Sequence, residues 1–475
     1  MLRPKLLPAA LAALLCIPLG LTAAAAPAPA ARGQSQSQPR YRVVDLGSLG
    51  GDLGILQGRS INRRGMAVGF MSTAESDPFC DFETWEGCFY SGNVDHAFLY
   101  SHGKTWDLGA LAQGVSSSAT GINEPGLVTG QSENGRIDPA TGFPETRAVL
   151  WVNRKIRDLG TLGGSQSIAT NANLLGQAVG GALTAKSDPF ADAPMAGCRW
   201  SPISGSGSNW GTFAENTFFF PGTTATHATL WWGSAKFDLG TLGGPDSTAL
   251  DINELGQVAG WSYTSYHANE FGVPDVRPFV WSVWDRKMRD LGTLGGACAM
   301  ASAINNRGEV VGYSTLVDNS TLHPFLWTAK GGMRDLGTLG GPYAHANASN
   351  DRGEVIGYST MLSAGQAPAY NKGRAFYWYK GVMKNLGTFG DAYSDANGIN
   401  NRGQIVGETF TKDGDSLRGW ISDRGGPIVD LNTLIDPNAG YEIIAGGYIT
   451  DAGVIGARAL APNGDEHPVM LVPIR

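Results

Sequence analysis

A three-part motif occurs eight times after residue 40 and restricts this chain of 475 residues to a few kinds of repeat fold. Its first part is Asp-Leu-Gly followed by a glycine-rich turn, as in DLGTLGG at 335–341. The copies, some of them altered, begin at Asp45, Asp107, Asp158, Asp238, Asp290, Asp335, Asn385 and Asp430. Successive copies begin between 45 and 80 residues apart. Such a period indicates supersecondary units that are stacked or arranged radially.

The other two parts of the motif predict short antiparallel strands. The second part is a hairpin signature with an Asn-x-x-Gly turn, as in INNRGEVVG at 304–312. Asn can bond to the turn backbone and Gly accepts a positive φ, which suits a tight hairpin. The third part is a strand that begins with His or Arg and mostly ends in a large aromatic residue, as in HPFLW at 323–327. Each repeat is therefore expected to hold four short strands.

A four-stranded unit of this length, repeated many times, predicts a β-propeller. A parallel β-solenoid is the alternative, but its coils are shorter and lack such hairpins. The repeats begin with one Asp-Leu-Gly strand at 41–47 and end after a His strand at 467–471. The N-terminal strand can therefore complete the last blade and close a ring of eight, which would hide the sheet edges. The ring would have seven blades if a degenerate repeat does not form.

Composition agrees with an all-β chain. The sequence contains 67 glycines, which are costly inside helices and argue against a helical bundle. Its 42% of hydrophobic residues argue against a disordered chain.

The motifs HAFLY at 96–100, HPFLW and DLGTLGG resemble the bacterial extracellular repeat family named HAF after its His-Ala-Phe sequence. The resemblance covers roughly residues 41–475 and rests on three motifs that recur in a fixed order. It implies a secreted repeat protein without an established catalytic activity. It supplies no catalytic residues that could be carried over to this chain.

The N-terminus predicts export, because a basic start precedes an apolar stretch at 6–21 and small residues follow it. We expect secretion to the periplasm or the exterior. The expected segments are a signal peptide at 1–25, a polar linker at 26–40 and one propeller domain at 41–475. No later segment has about 20 uninterrupted apolar residues, so no membrane span is expected after cleavage.

Charge and cysteine content limit the partners. The net charge is −7 and the basic residues are scattered along the sequence, whereas nucleic-acid binding needs clustered positive charge. We therefore expect no nucleic-acid partner, and we expect a monomer. Cys80 and Cys88 lie in one aromatic loop and predict a disulfide in an oxidising compartment. Cys198 and Cys298 could pair or remain thiols.

No metal or cofactor is expected. No His or second close Cys pair accompanies Cys80 and Cys88, which argues against zinc. The segment KDGDS at 412–416 resembles a fragment of a calcium loop, but it lacks the downstream Glu and reads better as a surface turn.

The cations that open the third motif are expected to be structural. His and Arg alternate at this position, and a catalytic base would not be exchangeable with Arg, which stays protonated. The position is occupied by His96, Arg147, His227, Arg277, His323, Arg374, Arg418 and His467. Their expected acceptors are the aspartates of the first motif, Asp107, Asp158, Asp238, Asp290 and Asp335.

Two long insertions, at 71–95 and 182–226, lie between the second and third strands of their repeats. Both contain Ser-Asp-Pro-Phe and several further aromatic residues. Aromatic faces on such loops could stack on sugars or bind a partner. They could instead form a small core that anchors the loops. The candidate ligand residues are Phe82, Trp85, Trp200 and Trp210.

These observations favour a secreted, non-catalytic platform that binds polysaccharide or a protein on a cell surface. A propeller enzyme, either a hydrolase or a lyase acting on an extracellular polymer, is an alternative, and its catalytic residues would be unknown. A purely structural surface or matrix component is another. Propellers serve all three roles, so the fold alone does not decide among them.

Overall fold

Strands make up nearly all of the regular structure, and they pair antiparallel in groups of consecutive strands. The computed structural model describes residues 40–80, 89–139, 141–191, 224–361, 373–391, 393–410 and 417–474. In these ranges there is no α-helix, and the helical turns are the 3-10 helices Leu431–Leu434 and Pro437–Ala439. The predicted all-β class is confirmed.

Each group contains one copy of the motif, and we number the groups repeat 1 to repeat 8. A separate strand, β1 (Tyr41–Asp45), precedes them. Repeat 1 contains β2 (Gly50–Ile61), β3 (Ala67–Ser76), β4 (Asn93–Ser101) and β5 (Lys104–Asp107). Repeat 2 contains β6 (Ser117–Ile122), β7 (Val128–Ile137), β8 (Pro144–Val152) and β9 (Lys155–Asp158). Repeat 3 contains β10 (Gly163–Ala172), β11 (Gln177–Ser187), β12 (Thr224–Trp232) and β13 (Ala235–Asp238).

The later repeats follow the same order. Repeat 4 contains β14 (Ser247–Ile252), β15 (Gln257–Tyr263), β16 (Val276–Ser282) and β17 (Met288–Asp290). Repeat 5 contains β18 (Gly295–Ile304), β19 (Val310–Leu316), β20 (Leu322–Thr328) and β21 (Gly332–Asp335). Repeat 6 contains β22 (Gly340–Ser349), β23 (Val355–Met361), β24 (Gly373–Tyr379) and β25 (Val382–Asn385). Repeat 7 contains β26 (Tyr393–Ile399), β27 (Gln404–Phe410), β28 (Leu417–Asp423) and β29 (Val429–Asp430). Repeat 8 contains β30 (Glu442–Ile449), β31 (Ile455–Leu460) and β32 (Glu466–Pro473).

The N-terminal strand pairs with the last strand of the chain. β1 lies antiparallel to β32, with Tyr41 opposite Pro473 and Asp45 opposite Val469. Repeat 8 thereby obtains its fourth strand from the other end of the sequence. The resulting arrangement of repeated four-stranded antiparallel sheets is β-propeller-like.

The hairpin asparagines connect neighbouring repeats. Within its own turn, the Asn253 side-chain carbonyl accepts hydrogen bonds from the amides of Leu255 and Gln257. Its Nδ2 donates across the repeat boundary to the Asn305 carbonyl at 2.9 Å. Equivalent bonds of 2.8–3.2 Å form an asparagine ladder with the donors Asn62, Asn123, Asn173, Asn253, Asn305, Asn350 and Asn400. The ladder ends at the Thr450 carbonyl, in repeat 8.

The glycine that closes each hairpin signature is required by close packing. At Gly312 an added Cβ would overlap the backbone carbonyl oxygen of Met300 on the first strand, where the pairing between β18 and β19 shifts register. The same carbonyl approach occurs at Gly69, Gly130, Gly180, Gly260, Gly357 and Gly407. In repeat 8 the glycine lies on the first strand instead of the second. Ala457 on the second strand lies opposite Gly446 on the first.

Apolar side chains fill the spaces between adjacent repeats. One cluster joins Val179 and Leu230 of repeat 3 to Ile252 and Phe279 of repeat 4. The indole N–H of Trp231 also crosses a boundary, donating to the Leu159 carbonyl of repeat 2 at 3.1 Å. Each repeat is therefore stabilised mainly by its neighbours.

Candidate binding surface

The repeat cations and the Asp-Leu-Gly aspartates meet between the third and fourth strands. His96 Nδ1 lies 2.9 Å from Asp107 Oδ2, and the pairs further along the chain have distances of 2.8–3.9 Å. The structure brings together His96 with Asp107, Arg147 with Asp158, His227 with Asp238, Arg277 with Asp290, His323 with Asp335, and His467 with Asp45.

Two repeats differ. Arg374 is aligned with Asn385, and its guanidinium donates to the Gly373 carbonyl at 2.8 Å. In the described part of repeat 7, Arg418 makes no ion pair with Asp430.

The pairing of His96 with Asp107 shifts the pKa of both side chains. A hydrogen bond to Asp107 raises the pKa of His96 above its usual value, against the effect of burial. Burial alone would raise the pKa of Asp107, but bonds from His96 and from the Gly109 amide lower it. The pairs link the third strand to the fourth. The carboxylates of the motif are occupied by these contacts.

The two long insertions begin and end at one edge of the sheets, which we call the loop edge. Consecutive strands of a repeat run in opposite directions. The connection between the second and third strands therefore lies at the same end of the sheet as the connection to the next repeat. Neighbouring repeats point the same way, because β2 pairs in parallel with β6, and β20 with β22. The first insertion is shorter than predicted and spans 77–92, since β3 extends to Ser76 and β4 begins at Asn93.

The second insertion is also shorter than 182–226. β11 extends to Ser187 and β12 begins at Thr224, so the inserted segment is 188–223. Both insertions thus follow elongated second strands of 10 and 11 residues, compared with 7 in β15, β19, β23 and β27.

An Asp-Pro step anchors each of three loops to the next repeat. The Asp77 carboxylate accepts from the Phe79 amide at 2.9 Å and from the Ser116 hydroxyl of repeat 2 at 3.2 Å. Asp138 accepts in the same way from the Ser165 hydroxyl of repeat 3. Asp188 accepts from the Phe190 amide at 2.8 Å and interacts with Asp246 of repeat 4. We call Asp77, Asp138 and Asp188 the Asp-Pro latches.

Sequence reasoning noted Ser-Asp-Pro-Phe in both insertions but gave its aspartates no role. The signal was present, because Asp-Pro ends the second strand in three consecutive repeats, at 77–78, 138–139 and 188–189.

The described aromatic residues of the inserted loops contact the protein itself. Tyr90 stacks on Phe70 with ring centroids 4.3 Å apart, and its hydroxyl accepts from Gln131 of repeat 2 at 3.0 Å. Phe190 lies against Tyr263 of repeat 4, at 6.2 Å between centroids. These two residues act as anchors, which agrees with the second interpretation of the aromatic loops.

The four candidate ligand residues, Phe82, Trp85, Trp200 and Trp210, lie outside the described residues, as does the segment 412–416. So do Cys88 and Cys198, and the disulfide between Cys80 and Cys88 stays a prediction.

Buried carboxylates with raised pKa values lie beneath the loops. Burial and the charge of Asp188 raise the pKa of Asp246 to about 8. Burial, with smaller effects of Asp77 and Asp95, raises the pKa of Glu133 to about 7. Burial also raises the pKa of Asp95 to about 6, despite bonds from Ser91. These groups change charge near neutral pH at the base of the loop edge.

Replacing Glu133 by Gln should remove part of the pH dependence of folding. Glu133 Oε2 accepts from the Val115 and Ser116 amides, and an amide oxygen can keep both bonds. The pKa of Glu133 rises from 4.5 to about 7 on folding, so the native state binds more protons and stability falls as pH rises through that window. We expect Glu133→Gln to be about 2 kcal/mol more stable than the wild type at pH 8 and equal to it at pH 4, by urea unfolding. An equal difference at both pH values would contradict this origin.

A partly buried ion pair links distant repeats through their first strands. Arg59 of repeat 1 lies 3.3 Å from Asp251 of repeat 4. Asp251 also accepts from Asn171 Nδ2 at 2.9 Å and from the Ile304 amide at 3.0 Å. The first strands of these repeats therefore lie within reach of one arginine side chain. Within the described ranges, no group of three His, Cys, Asp or Glu side chains is placed to hold a metal, and no helix could cross a membrane.

No family model and no curated protein matches the chain. TolB from Acinetobacter baumannii is 12% identical over 52% of this chain and 60% of its own, with a TM-score of 0.30. Dipeptidyl peptidase 4 from Porphyromonas gingivalis is 10% identical over 87% of this chain and 58% of its own, with a TM-score of 0.44. An ulvan lyase from a new polysaccharide lyase family is 12% identical over 91% of this chain and 96% of its own, with a TM-score of 0.37. The chain thus spans less than two thirds of the first two proteins, and these similarities are too low to indicate a function.

Proposed function

We propose that this chain is a secreted, monomeric, eight-bladed β-propeller of the HAF repeat type, closed by its N-terminal strand. It acts without catalysis as a platform that binds polysaccharide or a cell-surface partner at the loop edge. The predicted disulfide between Cys80 and Cys88 would brace the first loop of that edge.

Contacts between the two ends of the repeat array support ring closure. β1 pairs with β32, and His467 Nδ1 lies 3.0 Å from Asp45. Repeat 8 also reaches repeat 1, because Asp451 lies 3.4 Å from Arg63 Nη2. The Arg59–Asp251 pair supports first strands that surround a common axis.

The Asp-Pro latches are the observation that carries the platform proposal. Long loops order themselves only when contacts offset the lost chain entropy. Here an Asp-Pro carboxylate follows the second strand of three consecutive repeats and interacts with the next repeat, and two of these carboxylates, Asp77 and Asp138, are buried. Loops that a rigid scaffold positions in this way are a common basis for binding sites.

A glycan array probed with the purified protein tests the proposal. We expect bound polysaccharide, and we expect the double substitution Trp85→Ala/Trp210→Ala to weaken binding at least 10-fold without changing the unfolding midpoint. Leu175→Ala is the matched control, because Leu175 is 62% exposed in a hairpin at the opposite edge.

Three outcomes count against the proposal. Failure to bind any glycan or cell-surface preparation would favour the structural alternative. Shortened glycan products would favour the enzyme. Equal loss in the control variant would place the binding elsewhere.

A further inference from the structure

We propose that the fourth strands of repeats 2 to 4 form a second binding surface, specific for an anionic polysaccharide. Its cations are scattered in the sequence, but the fold collects them on neighbouring strands and the turn before the last of these strands. We call this surface the basic belt, and its residues are Lys155, Arg157, Lys236, Arg286, Lys287 and Arg289.

The belt lies on open strand edges. β9, β13 and β17 pair only with the third strand of their own repeat. All six side chains are exposed. A ligand can therefore approach the cations from the outside of the molecule without displacing any other segment that the structure describes.

Contacts across the boundaries make the belt continuous. The Lys236 ammonium of repeat 3 donates to the Thr161 carbonyl in the turn that follows β9. The Arg286 guanidinium of repeat 4 lies 5.7 Å from the centre of the Phe237 ring on β13. A surface depression of about 540 Å³ lies between repeats 2 and 3, lined by Arg147, Asp158, Lys236 and the turn at 160–163.

The positive charge of the belt is only partly neutralised by the protein, through the exposed Asp285, whose carboxylate accepts from the Lys287 amide at 3.2 Å. The aspartates on the same strands, Asp158, Asp238 and Asp290, are engaged by Arg147, His227 and Arg277 of the third strands. Among the described residues, no ion pair includes a belt cation. The chain as a whole carries a net charge of −7, so uncompensated cations on one surface mark it for an anionic partner.

Two exposed indoles border the belt. Trp232 is 50% exposed at the end of β12, and Trp284 is 82% exposed in the turn that leads to β17. The Trp284 N–H donates to the Leu255 carbonyl at 3.0 Å, which fixes the ring edge and leaves the ring face open. An indole face suits the apolar C–H face of a sugar ring, and arginine suits carboxylate or sulfate groups.

A sugar polymer fits this surface better than duplex DNA. Duplex DNA carries one charge about every 1.7 Å along its axis, and its binding requires dense positive charge. A uronate polymer carries at most one charge per sugar, which matches one to three belt cations per repeat on an acidic protein. If these charges served only to prevent the open strand edges from pairing with another chain, either sign of charge would be sufficient. Exposed tryptophans would not be needed for that purpose.

Charge reversal separates these explanations. The triple variant Arg286→Glu/Lys287→Glu/Arg289→Glu keeps the edge charged, so its unfolding midpoint should equal that of the wild type. Its affinity for alginate should fall at least 30-fold in titration calorimetry, and wild-type affinity should fall as salt rises. Trp284→Ala should weaken alginate binding about 5-fold, and neutral dextran should not bind the belt.

The control reverses three charges on the outer edge elsewhere, with Lys330→Glu/Lys380→Glu/Lys384→Glu. An equal loss in this control would overturn a local belt, as would a wild type that does not bind alginate or dextran sulfate. Tighter binding of a single-stranded oligonucleotide, weakened by Trp284→Ala, would reassign the surface to nucleic acid. The variant Trp85→Ala/Trp210→Ala should leave alginate affinity unchanged, which separates this surface from the loop edge.

Discussion

A chain that starts at Gly47 should unfold at a much lower urea concentration than a chain that starts at Arg40. The shorter chain lacks β1 and Leu46, and it exposes the edge of β32. Tyr41 is 8% exposed and Leu46 is 1% exposed, so their burial alone contributes about 3–6 kcal/mol. Loss of Asp45 also removes the acceptor of His467 and of the Tyr441 hydroxyl, which bonds to Asp45 at 2.8 Å.

The matched comparison for this truncation is a chain that starts at Ala26 and keeps the linker, which should unfold like the chain that starts at Arg40. A synthetic peptide of residues 40–46 should restore part of the lost stability when it is added to the shorter chain. Equal urea midpoints for the chains that start at Gly47 and Arg40 would refute closure by the N-terminal strand.

The second large effect is expected from Gly312→Ala. The added methyl group would overlap the Met300 carbonyl oxygen, which belongs to a backbone held by pairing on β18. The strand cannot move without breaking this pairing, and overpacking of this kind costs about 3 kcal/mol. Thermal and urea unfolding of the purified variant would measure the loss.

Repeat 8 supplies the control for Gly312→Ala. Ala457 occupies the equivalent position there, opposite Gly446, so repeat 8 accepts a methyl group at this position. Ala457→Gly should therefore cost only about 1 kcal/mol, from chain entropy and a lost methyl contact. Similar losses in the two variants would mean that the carbonyl approach at Gly312 does not limit side-chain size.

The hairpin turns and the partners of the repeat cations were predictable from the sequence because the same residues recur in each repeat. The Asn-x-x-Gly turns identify the hairpins, and the alternation of His and Arg indicates a cation that needs an acceptor. Pairing between His96 and Asp107 follows from the order of the third and fourth strands, since Asp107 lies opposite Phe98, two residues along the same strand from His96.

Contacts between distant repeats were not predictable in the same way. Arg59 and Asp251 are separated by three repeats, and no local pattern indicates that they meet. The roles of Tyr90 and Phe190 depend on side chains of the next repeat, Gln131 and Tyr263, which sequence spacing does not place. The turn pattern explained the glycines of the Asn-x-x-Gly turns but not Gly312, which is required by the approach of a carbonyl from another strand.

The asparagine ladder has a consequence for how such a chain can grow. Each hairpin from repeat 2 to repeat 7 accepts one bond from the preceding repeat and donates one to the following repeat. Tandem duplication of one whole repeat adds one asparagine side-chain donor and one backbone carbonyl acceptor. These two groups form hydrogen bonds with the hairpins of the repeats on either side. Repeat number can therefore change by gene duplication without leaving an unmatched polar group at the hairpins.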